Sequence, residues 1–256
     1  MSLFDEMNRT SGLSSAQGWG NNAQVKQNVT PSPREYSSYS EAREYSSSET
    51  NQLIRNTYLL LSMTLLFSAV TAGIAMLVKM PPLHWLLTLA VYMGLLFVTS
   101  ALRNSAWGLA AVFALTGFLG LTLGPLLNAY VTIFSNGSQL IMMAFGSTAV
   151  IFLGLSGYAL TTRKDFSFMG SFLFAGILVA FLAGIGAIVF QLPGLSLAVS
   201  AMFVLLMSGL ILYETSDLVH GRETNYIMAT VGLYVTIFNL FVSLLQLFGA
   251  FMGERE

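Results

Sequence analysis

The chain has 256 residues, of which 55% are hydrophobic and only 9% charged. A soluble domain carries about 25% charged residues, so this composition excludes a soluble enzyme. With a net charge of −1 and no basic run, nucleic acid is not an expected partner. There is no cysteine, which excludes disulfides, thiolate catalysis and cysteine-held zinc or iron–sulfur sites.

Eleven of the 23 acidic and basic residues lie in the first 55 positions. Residues 1–54 are rich in Ser, Asn, Glu, Gln and Tyr and poor in aliphatics. Such a segment buries too little apolar surface to offset its ordering entropy, and the expectation is a disordered tail. It contains no apolar core of the kind a secretory signal needs. One near-repeat stands out, with Arg34-Glu35-Tyr36-Ser37-Ser38 returning as Arg43-Glu44-Tyr45-Ser46-Ser47. It is either low-complexity drift or a docking or modification site.

From residue 55 to 256 the expectation is a transmembrane domain. Seven apolar runs follow one another, at about 56–78, 83–101, 106–127, 140–160, 168–190, 195–216 and 226–250. A run of about 21 residues rises about 32 Å as a helix, which matches a hydrocarbon core of about 30 Å. Backbone in lipid must satisfy its own hydrogen bonds, and the runs lack the alternation of barrel strands, so each is expected to be helical. The predicted fold is therefore an all-α membrane bundle of seven transmembrane helices. The stretch 128–139 is half apolar and follows Pro125. It either extends the third helix past a kink or lies in the interface.

Lys and Arg predict the orientation. A cytoplasmic N-terminus puts Arg9, Lys26, Arg34, Arg43, Arg55, Arg103, Arg163, Lys164 and Arg222 inside, and only Lys79 and Arg255 outside. Seven crossings then leave the C-terminus on the far side.

Gly117, Gly120 and Gly124, followed by Pro125, share one side of the third helix. Small residues let membrane helices approach closely, so these are expected packing positions. Glu214 is the most informative single residue, an acid about one turn inside the sixth helix. An ionised group at mid-membrane costs roughly 3 kcal/mol, so it should face protein and find a donor. It either serves an ion or proton path or simply joins helices. The seventh helix offers Thr236, Asn239 and Ser243 at spacings of three and four, with Gln246 continuing the stripe. That stripe implies a helix surrounded by protein, with Thr236, Asn239 and Tyr234 able to approach Glu214, and Glu214, Thr236 and Asn239 are the expected pore or proton-sensing residues. His84 and His220 fall in opposite loops and cannot share a metal. No nucleophile–base pair, metal-ligand spacing or cofactor motif appears, and an enzyme is not expected.

Three segments carry a resemblance: Gly117-Phe118-Leu119-Gly120-Leu121-Thr122-Leu123-Gly124-Pro125, Tyr213-Glu214-Thr215, and Leu233-Tyr234-Val235-Thr236-Ile237-Phe238-Asn239-Leu240-Phe241. They are similar to the signature of the Bax inhibitor-1 family. Arg55-Asn56-Thr57-Tyr58-Leu59-Leu60, Leu160-Thr161-Thr162-Arg163-Lys164-Asp165 and Glu223-Thr224-Asn225-Tyr226-Ile227 resemble its bacterial, YccA-like branch. The family implies seven helices with the last enclosed by the other six. The branch implies an inner-membrane protein that binds the FtsH protease and its HflK/HflC partners and restrains degradation of other membrane proteins. It also implies a slow substrate taken through its N-terminal tail. Calcium-leak members of the family carry two aspartates, one in each of the last two helices. Here those positions match Glu214 and Thr236, which leaves one carboxylate facing a hydroxyl. A pH-sensitive calcium or cation leak through Glu214 is the alternative reading.

Overall fold

The computed structural model describes residues 33–254, with side chains described from Ser48 onward. The chain divides into two units, Met1–Ser46 and Ser47–Glu256. Among the described residues there is no β-strand.

Among the described residues seven helices follow in order: α1 (Pro33–Leu77), α2 (Trp85–Leu102), α3 (Trp107–Ile133), α4 (Gly137–Thr162), α5 (Gly170–Val189), α6 (Pro193–Val219) and α7 (Tyr226–Met252). A 3₁₀ turn, Ser167–Met169, leads into α5. Each helix contains a segment long and apolar enough to cross a bilayer; in α1 this segment is Ser48–Leu77. The chain is thus a multi-pass membrane protein.

One expectation from the sequence needs adjustment. The tail was expected to reach residue 54, yet backbone from Pro33 onward is helical. A membrane span supplies a helix nucleus, and extension from a nucleus adds one hydrogen bond per residue fixed. Composition alone takes no account of that. Residues 1–32 lie outside the described part, as do the side chains of the 34–47 near-repeat. The stretch 128–139 resolves as a continuation of α3 to Ile133, three connecting residues, and the start of α4 at Gly137. Pro125 sits inside α3, where it removes one helical donor but does not stop the helix.

The core is centred on α7. Two thirds of its span (67%) is buried, against 6% for α2. Helices α3, α4 and α6 pack directly on α7, while α2 packs on α3 and α5 on α6. Helix α1 reaches α7 through hydrogen bonds: Thr230 Oγ1 donates to the Thr57 carbonyl at 3.3 Å, and the Ser68 and Tyr234 hydroxyls pair at 2.6 Å. The enclosing wall of α7 is therefore built chiefly by four helices, with α2 and α5 packed outside it.

The glycines of α3 face α1. A Cβ on Gly117 would stand 2.7 Å from the Phe67 ring, one on Gly120 2.4 Å from the Ser68 carbonyl, and one on Gly124 2.4 Å from the Ala75 Cβ. This is the close approach of backbones that small residues permit.

The last turn of α7 is fastened to the α3–α4 connector. Ser135 N–H donates to the Glu254 carbonyl at 2.9 Å, Asn136 Nδ2 donates to the Met252 carbonyl at 2.8 Å, and Glu254 N–H donates to Asn136 Oδ1 at 3.1 Å. The polar residues of 128–139 thus satisfy carbonyls that a helix end leaves open.

Candidate functional site

Glu214 points at α7. Thr236 Oγ1 donates to its Oε2 at 3.0 Å. Gly232, one turn earlier, leaves room for the carboxyl: a Cβ there would lie 2.8 Å from Glu214 Oε1. The acid is thus seated against α7 by a donor and a missing side chain, as its desolvation cost requires. Ten residues further along α7, Ser200 Oγ of α6 donates to Gln246 Oε1 at 2.5 Å. The polar stripe of α7 therefore forms a seam with α6.

Two other expected neighbours turn elsewhere. Tyr234 hydroxyl bonds Ser68 and donates to the Thr116 carbonyl at 3.2 Å, toward α1 and α3. At about 100° per residue it stands some 200° from Thr236 around the helix, so the two cannot share a partner. Asn239 shares the stripe, but its Nδ2 donates to the Val235 carbonyl of its own helix at 2.8 Å. Among the described residues no group of three acidic or histidine side chains is arranged to hold a metal.

At the end of the bundle where α4 stops and α7 begins, the loops are tied together. Arg222 Nη2 meets Asp165 Oδ1 at 2.9 Å and its Nε meets Asp217 Oδ1 at 2.6 Å. Arg222 thereby joins the α4–α5 loop to the end of α6. Ser216 Oγ accepts from Phe166 N–H at 3.1 Å, and His220 Nδ1 lies 2.8 Å from the Ser216 carbonyl. The Ser167 N–H, and then the Arg222 guanidinium, hold the Asp165 carboxyl well below the usual carboxylate range. The guanidinium is held charged in turn, first by Asp217 and then by Asp165. A depressed acid contributes its stability above its unfolded value and loses it only as pH falls through the lowered folded value. The Asp165 arm of the latch therefore stays closed at neutral and mildly acidic pH. Arg222→Ala is expected to speed amide exchange at residues 165–169 and 220–224 by about tenfold or less, since these pairs are partly exposed. Exchange mapping by mass spectrometry checks this; an unchanged pattern in both segments would show that Arg222 does not hold the loops together.

Three residues after Arg222, Asn225 caps α7. Its Oδ1 accepts from Ile227 and Met228 N–H at 3.0 and 3.1 Å. Its Nδ2 donates to the Arg103 carbonyl and to Asn104 Oδ1, each at 3.0 Å. Somewhat deeper, three hydroxyls from three helices meet. Tyr58 of α1 pairs with Ser156 of α4, and Thr215 of α6 lies 3.4 Å from each. Beside Tyr58, Thr57 Oγ1 is the one buried side-chain polar atom without a partner among the described residues. The latch, the cap and the hydroxyl cluster draw on the three segments singled out above around Tyr58, Asp165 and Asn225. All three segments serve this one end of the molecule.

A family model described as "Inhibitor of apoptosis-promoting Bax1" matches residues 50–253. The chain belongs to the Bax inhibitor-1 family. Within that family it is 50% identical over 200 residues to the Escherichia coli K12 protein named "Modulator of FtsH protease YccA", covering 78% of this chain and 90% of that one. It is 51% identical over 206 residues to the uncharacterized protein PA2604 of Pseudomonas aeruginosa, covering 80% and 92%. A Vibrio cholerae protein named only as an uncharacterized membrane protein is 45% identical over 202 residues, covering 78% and 90%. In this Bax inhibitor-1 bundle the α6–α7 seam pairs one carboxylate with one hydroxyl. Two carboxylates sharing a site would repel and couple their titrations; Glu214 and Thr236 have no such coupling.

Proposed function

We propose that this protein is a non-enzymatic regulator that binds the FtsH protease in the bacterial inner membrane, alongside HflK/HflC, and restrains its attack on other membrane proteins. The observation that supports this most is the 50% identity, across 200 residues, to a protein named as a modulator of FtsH. The matched part is the membrane bundle itself, so the bundle is the part that engages the protease. Its N-terminus lies in the cytoplasm and its C-terminus in the periplasm, on the strength of nine Lys and Arg residues inside against two outside. In that orientation the Arg222 latch, the Asn225 cap and the Tyr58 cluster all lie at the cytoplasmic end, where the ATPase and protease domains of a membrane-anchored AAA protease would work. A segment extending from α1 on that side supplies a handle, and the cross-helix bonds resist the pull. The cation-leak alternative rests on Glu214 alone and receives no further support from its hydroxyl partner.

Affinity purification of the full chain from mild-detergent membranes is expected to bring down FtsH and HflK/HflC, and a periplasm-active reporter fused after Glu256 is expected to be active. A purification that brings down none of these partners while the bundle remains folded would overturn the binding reading. A reporter active only in the cytoplasm would overturn the orientation.

A further inference from the structure

Helices α1 and α4 meet at one end of the bundle and part at the other. Tyr58 and Ser156 join them near the Arg222 latch. Toward the opposite end a groove of about 830 Å³ opens between them, with Leu123 and Leu127 of α3 and Tyr234, Phe238 and Phe241 of α7 among its lining residues. We propose that this groove binds an acyl chain of a membrane phospholipid, which takes the place of the missing α1–α4 contact.

Three observations commit the groove to hydrocarbon. First, it continues the lipid-facing surface of the bundle. Leu66, Met142, Phe145 and Leu153 line it while remaining between 67% and 73% exposed, and all four lie on membrane-spanning segments. Second, its few polar groups are already satisfied. The Ser68 and Tyr234 hydroxyls pair with each other at 2.6 Å, and Thr148 Oγ1 donates to the Ala144 carbonyl at 2.7 Å. A wall without free donors or acceptors recognises hydrocarbon and rejects a polar ligand. Third, the dimensions suit a chain. The α4 lining runs from Ile141 to Leu153, roughly 18 Å at about 1.5 Å per residue, close to half of a hydrocarbon core of about 30 Å. An acyl chain of one leaflet has that reach. An empty groove would forfeit the dispersion contacts of its whole lining, which a flexible chain recovers.

Two glycines make the test clean. Gly73 and Gly146 both line the groove, and a Cβ at either meets nothing within 4 Å. Leucine at these positions therefore fills the groove without pressing on protein. The full chain is reconstituted in vesicles of phosphatidylethanolamine and phosphatidylglycerol containing a trace of phosphatidylglycerol with a mid-chain diazirine, irradiated, and mapped by peptide mass spectrometry. Labelling is expected to fall several-fold more heavily on 65–73 and 141–153 than on the α5 surface around Phe172 and Phe174, which is equally exposed. Gly146→Leu, and separately Gly73→Leu, should reduce groove labelling several-fold and leave α5 labelling unchanged. Equal labelling of groove and α5 in the wild type would overturn the proposal, as would full groove labelling in both filled variants. A photoreactive amino acid at Phe145 should capture lipid; capture of a second copy of the chain would reassign the groove to self-association.

Discussion

Gly120→Ala is expected to lower the melting temperature of the detergent-solubilised protein by several degrees or to prevent its accumulation, whereas Gly157→Ala leaves it unchanged or slightly raises it. Ordinarily alanine stabilises a helix interior relative to glycine by roughly 0.5–1 kcal/mol. At Gly157 nothing stands within 4 Å of the added methyl, so that gain is all that remains. At Gly120 the methyl would lie 2.1 Å from Thr71 Oγ1 and 2.4 Å from the Ser68 carbonyl. Thr71 cannot step aside freely, because its hydroxyl donates to that same carbonyl at 2.9 Å. The carbonyl is helix backbone, so α1 and α3 must separate. Overpacking of this kind costs about 1–3 kcal/mol, and more where backbone must move. Separation would also strain the Ser68–Tyr234 pair that carries α1 onto α7. Thermal unfolding followed by tryptophan fluorescence separates the cases; equal melting of the two variants would mean that α1 and α3 do not approach closely at Gly120.

This contrast also marks what was legible in the sequence. Seven spans could be counted because apolar length is set by the bilayer. The glycine face of α3 could be read because glycines at helical spacing mean close packing, but its partner could not. In a membrane the inside and the outside of a bundle are equally apolar, so periodicity does not point to the core. Only polar side chains act as beacons. Glu214 and Thr236 found each other because an acid in lipid must have a donor. Tyr234 was drawn toward the same acid, although its angular position on α7 already pointed it to α1 and α3. The Arg222–Asp165 pair escaped notice because 57 residues separate its members and only the fold sets α4 beside α6. The helical start at Pro33 escaped for a different reason, since composition weighs burial and ignores a helix propagating out of a span.

Deleting residues 2–32 is expected to lengthen the half-life of the protein several-fold in cells that contain FtsH, with restraint of other substrates kept or strengthened. Given the proposed role, this outcome follows from the order in which a processive protease must work. Such an enzyme grips an unfolded segment before it can pull. By composition, residues 1–32 are poor in aliphatics and lie ahead of the helical backbone that begins at Pro33. The loops at the latch end of the bundle are short, and the latch and cap fasten them. Once the handle is gripped, the pull passes into α1. There it meets Tyr58 on Ser156, the Thr57 carbonyl under Thr230, and Ser68 on Tyr234, followed by the cost of drawing an apolar span out of lipid. A substrate that yields so slowly occupies the enzyme and spares its competitors. Without the handle the bundle still binds but is no longer pulled, so its restraint outlasts that of the full chain. The measurement is a chase of protein level with and without FtsH, for the full-length and shortened forms side by side. Equal FtsH-dependent decay of both forms would show that the handle lies elsewhere, and decay of the full-length protein that ignores FtsH would show that the protein is not its substrate.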